Sequence, residues 1–314
     1  MIWVLTAFDE CVMGEYNRVI KLFCSFYLYL NMLQNIRLRS FVVGGCASLA
    51  LLLGSGVFTQ VQAKSCTSVL AGLWAVSATW GTGCLTPPSV PGPGDTAIVA
   101  VGTVSLGADV SVSVLTVYAG IQLNTLGSAL MVTSTATVTG AVTSTTGTLT
   151  FQKEGAGTGL AIAATTGFVS STNGLISAST TTIGAGGFLA SNAGSIYISG
   201  NLTNAGTIYA GISPATVTLD ENFNNNGGIF NHNGGTLVLS GTSGAGATIT
   251  AVPTVYTLSV TKALGASIGI AAGTNLAVLN TLTTSGANNL NLASNNLTVT
   301  GATTIAGSTS VTST

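Results

Sequence analysis

Beyond Lys64 the chain is almost chargeless and is written in short alternating strings of Val, Thr, Ser, Ala and Leu, punctuated by Gly and Asn. "SVSVLTVYAG", "LMVTSTATVTG", "GSIYISGNLTNAGTIYAG", "GGTLVLSG" and "NLNLASNNLTVTGATTIAG" share one grammar. Apolar residues at every second position have the period of a strand with one buried face. Strings this short, broken so often by Gly or Asn-Gly, predict many brief strands joined by tight corners. After Ala63 no stretch shows amphipathic helical spacing, which excludes helical α/β folds.

Of 314 residues, seven are Lys or Arg and eight are Asp or Glu, so charged residues make up 5%, against roughly 25% in ordinary soluble domains. Past residue 63 the charges are Lys64, Lys153 and Lys262 with Asp95, Asp109, Glu154, Asp220 and Glu221. That set offers phosphates no basic stripe, which excludes nucleic acid as a partner. A hydrophobic fraction of 46%, rich in β-branched residues, carries enough apolar surface to fold rather than to remain a solvated linker.

The N-terminal region reads as a targeting segment. Arg37 and Arg39 precede an apolar run from Phe41 to Phe58, followed by "TQVQA" with Val61 and Ala63 at the −3 and −1 positions of a cleavage site. A cleaved secretory signal over 32–63 is expected. An uncleaved anchor is the competing reading, since the run is about long enough to span a bilayer; Cys46 is preceded by too few apolar residues for a lipoprotein. Residues 1–31 lack the later grammar, and Met32 opens a normal signal by itself, so 1–31 is read as an over-extended start. The membrane is thereby a partner only through the signal segment, and the protein is expected to be secreted or at the cell surface.

Of five cysteines only Cys66 and Cys84 fall in the expected mature chain, where an even pair reads as a disulfide. Closing so short a loop contributes about 3 kcal/mol in the chain-entropy model. Residues 64–97 also hold Trp74, Trp80, Pro87, Pro88, Pro91 and Pro93. They are expected to form an N-terminal cap that blunts an exposed first rung. The alternative for Trp74 and Trp80 is an aromatic platform that contacts glycans.

From 98 to 314 the pattern repeats loosely. Residues 119–140 resemble 285–307, and "NAGSIYISG", "NAGTIYAG", "NGGIFNHN" and "NGGTLVLSG" repeat Asn, small residue, Gly, apolar strand. Asn and Gly tolerate the left-handed backbone of a tight corner. Stacked coils meet these requirements, each burying its apolar face on its neighbours. The expected fold is all-β: a parallel β-helix, or β-solenoid, with a disulfide-braced N-terminal cap. Coils of roughly 20–25 residues make about ten turns over roughly 50 Å at 4.8 Å each. Ladders of aliphatic, Thr or Asn side chains are expected along the stack. An array of β-sandwich repeats is the runner-up.

The lead around Trp74, "ATW", Cys84 and "VPGPGDTAIV", followed by "GTVSL" and "LTV", resembles the opening rungs of G8-like and bacterial surface β-helix proteins. "ENFNNNGGIFNHNGGTLVLSG" is similar to repeats of large bacterial β-strand-repeat surface proteins, adhesin-like or filamentous-haemagglutinin-like. The resemblance implies fold and surface location. No translocator barrel or sorting motif appears, and the chain stops mid-grammar in "GSTSVTST". It is therefore expected to be a fragment or to meet another chain end to end.

Chemistry has few places to reside. Glycoside hydrolysis needs two carboxylates flanking the bond. Asp95 sits in a Pro-Gly turn, Asp109 at a corner, and Lys153-Glu154 in a solvated loop. Asp220-Glu221 is the one paired site, and adjacent strand residues face opposite ways. There is no Arg past residue 63 to steady an acidic sugar, and His232 has no acidic neighbour in sequence. No calcium, phosphate-loop or zinc pattern occurs, so no cofactor or metal is expected. The expectation is a noncatalytic adhesin or structural component meeting surface glycans or host and neighbouring-cell proteins. A polysaccharide-binding or polysaccharide-degrading β-helix is the alternative. Ice binding through Thr133, Thr135, Thr137 and Thr139, read as sharing one face, is the weakest reading.

Overall fold

The computed structural model describes residues 62–84, 89–153, 157–163, 165–241, 247–261, 266–271, 273–285, 289–306 and 310–312. Expectations about residues 1–61 (the start at Met32, the signal and anchor readings, Cys46) and about Pro87, Pro88, Glu154 and Lys262 lie outside these.

Each turn visits three faces, here A, B and C. Face A begins with the leading halves of Val110–Val117 and Leu130–Val138. It continues through Leu149–Phe151, Ile176–Ala178, Ile196–Ile198, Thr216–Leu219 and Thr236–Leu239. It ends with the trailing halves of Thr254–Val260 and Leu276–Thr284, then Ala302–Ile305. Face B begins with Ser65–Thr67, Thr96–Val99 and the trailing halves of Val110–Val117 and Leu130–Val138. Leu160–Ile162, Thr181–Ile183, Leu202–Asn204, Phe223–Asn224, Ala247–Thr250, Ser267–Ile270, Asn289–Asn291 and Ser310–Thr312 follow. Face C is a separate ladder from Gly72–Leu73 through Thr103–Ser105, Gln122–Leu126, Ala141–Ser144, Phe168–Ser171, Phe188–Ser191 and Thr207–Tyr209 to Ile229–Asn231.

All of these ladders are parallel; the isolated bridge Ser68–Trp80 is antiparallel. The fold is thus an all-β parallel β-solenoid, and the β-sandwich alternative, which requires antiparallel sheets, is excluded. Equivalent positions recur 21 residues apart at Leu160, Thr181, Leu202 and Phe223, within the expected repeat. Alternation does the packing. On face A the inward residues Leu149, Ile176, Ile196, Val217, Leu237 and Leu258 form one column, each at most 1% exposed. Burying each such side chain is worth about 1.5–3 kcal/mol, so the apolar column is what holds successive coils in contact.

Two placements differ from the sequence reading. Ser65–Thr67 already pairs with Thr96–Val99, so the first rung begins inside 64–97 rather than after it. The four threonines from Thr133 to Thr139 do not share a face. The strand Leu130–Val138 turns a corner after Val132, marked by a register shift, which leaves Thr133 on the face A side and Thr135 and Thr137 on face B. That bend removes the geometric basis of the ice-binding reading.

The cap is built as expected, with Cys66 and Cys84 joined by a disulfide across a Cα–Cα distance of 5.0 Å. Trp74 and Trp80 are only 3% and 4% exposed, and their rings meet edge to face with centroids 4.7 Å apart. The Trp80 indole N–H donates to the Trp74 carbonyl (2.8 Å), and the Trp74 indole N–H donates to that of Pro91 (3.2 Å). The rings fill the plug and leave no open face for a sugar, which corrects the platform alternative.

The corner glycines work partly by a different mechanism from the one expected. Gly227 and Gly234 do take positive φ, 79° and 81°. Gly174 and Gly194 do not; a Cβ on Gly194 would overlap the Gly174 carbonyl oxygen, and one on Gly174 would overlap that of Gly147. There glycine is needed because the backbone of one coil lies directly on that of the next.

Asparagine stacking does occur, inside the rod as well as outside. Asn204 and Asn225, 0% and 3% exposed, occupy successive coils, and the Asn204 amide donates to Asn225 Oδ1 at 2.7 Å. On the outside, Asn222 donates in the same way to Asn201 Oδ1 at 2.8 Å.

Candidate functional site

At the corner between faces A and B the connections differ in length from coil to coil. Phe151 and Leu160 are separated by eight residues, 152–159, whereas Ala178 and Thr181 are separated by only two. The next connections are 199–201 and 220–222, and then seven residues, 240–246, before Ala247. At the short corners lies a recess of about 460 Å³, lined by Gly157, Ser179, Thr180, Ser199, Gly200, Asn201 and Glu221. It spans four successive coils, three steps of about 4.8 Å each, or about 14 Å.

Asp220 and Glu221 stand at this corner and diverge. The Asp220 carboxylate accepts the Tyr197 hydroxyl at 2.5 Å from the coil before and the Ser240 hydroxyl at 2.6 Å from the coil after. It staples three coils. The hydrogen bond to Asp220, then desolvation and the carboxylate's charge, push the Tyr197 phenol up to about 12 from its ordinary 10. Glu221 instead lines the recess and has no hydrogen-bond or ion-pair partner among the described residues. Across the recess, Lys153 Nζ lies against Gly157, and its ammonium likewise has no ion-pair partner among the described residues.

The other described acids are committed to backbone. Asp95, buried at 4%, accepts the Gly92 N–H at 2.9 Å and the Lys64 N–H at 2.8 Å, and pairs with the Lys64 ammonium at 3.7 Å. The expectation that Asp95 serves its own turn holds. Asp109 accepts the Ala129 N–H of the next coil at 2.8 Å.

His232 stands at a face C corner, its ring stacked on Tyr256 with centroids 5.9 Å apart, and its Nδ1 accepts the Gly234 N–H at 3.1 Å. Burial lowers its pKa below the usual histidine value. This corner borders a break in the face C ladder, because the chain crosses from Thr250 to Thr257 in six residues, 251–256, where the preceding coil uses eleven, 225–235. Pro253 within the shorter crossing has no N–H to give.

Among the described residues, no three His, Cys, Asp or Glu cluster as a metal site would require. No helix of the described residues is long and apolar enough to cross a membrane. Sequence reasoning found Asp220 and Glu221 but missed Tyr197, Ser240 and Asn201 on the adjoining coils. The signal was there in the 20- to 23-residue spacing of these positions, but only the register of the coils makes it readable. No family model, curated protein or solved structure matches the chain.

Proposed function

We propose that this β-solenoid is a noncatalytic secreted or cell-surface protein, an adhesin or a structural component of the surface. The observation that carries the reading is the use made of the carboxylates. Asp95, Asp109 and Asp220 each accept hydrogen bonds that fasten a turn or join neighbouring coils. An acid riveted by two hydroxyls from adjacent coils is poorly placed to exchange protons with a substrate, and among the described residues no second free carboxylate faces Glu221 across the recess. The recess itself favours binding over cleavage within the polysaccharide alternative.

The test is to express the chain from Met32 in its native cell type, locate it by fractionation and surface labelling, and incubate the purified protein with a polysaccharide panel. The expected outcome is a surface or culture-medium protein that begins near Lys64 and releases no reducing ends or unsaturated products. Cytoplasmic retention, or cleavage that disappears in Glu221→Gln, overturns the reading.

A further inference from the structure

We infer that the recess at the corner of faces A and B is a binding site for a neutral, hydroxyl-rich saccharide, with Glu221 and Asn201 as its polar contacts and the Lys153 ammonium beside its Gly157 end. The inference rests on the surface-protein reading only in supposing that the chain meets glycans. Its site and ligand class follow from the recess.

The lining decides the chemistry. Ser179, Thr180 and Ser199 supply hydroxyls, Gly157 and Gly200 expose backbone, and no large apolar side chain contributes. Pockets for apolar ligands are lined mainly by hydrophobic and aromatic groups, so this lining selects a ligand made of donors and acceptors. Glu221, without a partner among the described residues, is able to take two hydroxyls through charge-assisted hydrogen bonds. Asn201 has its Oδ1 engaged by the N–H groups of Asn222 and so turns its Nδ2 donors elsewhere. Lys153 adds a cationic donor beside Gly157.

Among the described residues the recess has one carboxylate, Glu221, and one ammonium beside its Gly157 end, Lys153, so neither sign of charge prevails. A ligand without net charge but dense in hydroxyls fits that balance. The length of about 14 Å along four coils suits an extended oligosaccharide lying along the rod. Behind it, the Tyr197–Asp220–Ser240 staple ties together the coils that carry Ser199, Gly200, Asn201 and Glu221, so the polar groups are held in place before any ligand arrives.

The experiment uses the secreted full chain against neutral hexasaccharides of glucose, mannose, galactose and N-acetylglucosamine, with oligogalacturonate as the charged comparison. Binding is read by titration calorimetry and by retention of the protein on an immobilised glycan array. At least one neutral hexasaccharide is expected to bind while oligogalacturonate does not. Glu221→Gln is expected to weaken that binding tenfold or more, with an unchanged circular dichroism spectrum and melting temperature. Thr283→Ala, on face A several coils away, is expected to leave it unaltered. Failure of every neutral glycan, preference for oligogalacturonate, or unchanged affinity in Glu221→Gln overturns the site. Slow cleavage of a bound glycan would overturn the noncatalytic reading and leave the site standing, so the two failures are separable.

Discussion

The buried pair Asn204–Asn225 permits a quantitative test of what the asparagines do. The Asn204 side chain donates to Asn225 Oδ1 (2.7 Å) and to the Ile229 carbonyl (3.2 Å), and its Oδ1 accepts the Gly206 N–H (3.0 Å). Asn204→Ala removes all three and strands Gly206 N–H and Asn225 Oδ1 in a dry interior. Each stranded group costs about 1–3 kcal/mol, so the variant should lose about 3–4 kcal/mol. Asn225→Ala strands the Gly228 and Ala251 carbonyls, which its amide serves at 3.1 and 2.9 Å, for a comparable loss. Because the two share one bond, the double variant should lose less than the sum by about 1–2 kcal/mol. Urea unfolding followed by circular dichroism measures the totals. Since a stack of coils need not unfold all at once, hydrogen exchange of peptides covering 202–204 and 223–224 checks that the loss is local. Single variants each costing under about 0.5 kcal/mol, or strict additivity, would refute the claim that an amide ladder stabilises these coils.

Two further outcomes follow from the same geometry. Tyr197 should titrate near 12 when followed by phenolate absorbance, and in Asp220→Asn, which removes the charge and weakens the hydrogen bond, the midpoint should fall back toward 10. The fold favours the protonated phenol, so the stability it contributes is complete below pH 10 and is lost as pH rises from 10 through 12; Tyr197→Phe should abolish that alkaline step. Gly194→Ala should destabilise more than Gly227→Ala. The first forces a Cβ into the Gly174 carbonyl, whereas the second has open space and costs only the positive φ, about 1–2 kcal/mol. Equal melting temperatures for the two variants would show that coil contact does not set the requirement at Gly194.

What could be read from the sequence was set by how local the physics is. Alternation is local, so the strands around Ile176, Ile196 and Val217 and the parallel stack they imply were legible. So was the Cys66–Cys84 closure, because two cysteines in a short segment leave one pairing. The fate of Trp74 and Trp80 was not, because plug and platform use the same residues and differ only in whether other chain covers the rings. The bend after Val132 was invisible for a similar reason: a strand that turns a corner keeps its alternation through the turn, so Thr133 and Thr135 look like neighbours on one face. The recess depends on comparing corner lengths coil by coil. That comparison needs the registers Leu160–Thr181–Leu202–Phe223, which loose repeats do not supply.

Coil register also explains why so few charges are present and why the exceptions are informative. A residue repeated in every coil sees its copy about 4.8 Å away. Two like charges at that separation repel by about 1 kcal/mol in water and several times more near a protein surface, at every step of the stack. Hydroxyls and amides both donate and accept, so Thr, Ser and Asn columns incur no such penalty. A single acid is tolerated when its column neighbours donate to it, which is the arrangement of Asp220 between Tyr197 and Ser240. Glu221 breaks this rule. Among the described residues no donor meets it, and it lines the recess. Gln would fill the same corner without the cost of a charge, so no stabilising role among the described coils calls for a carboxylate there. A saccharide hydroxyl in the proposed site would supply the donor that the described coils do not.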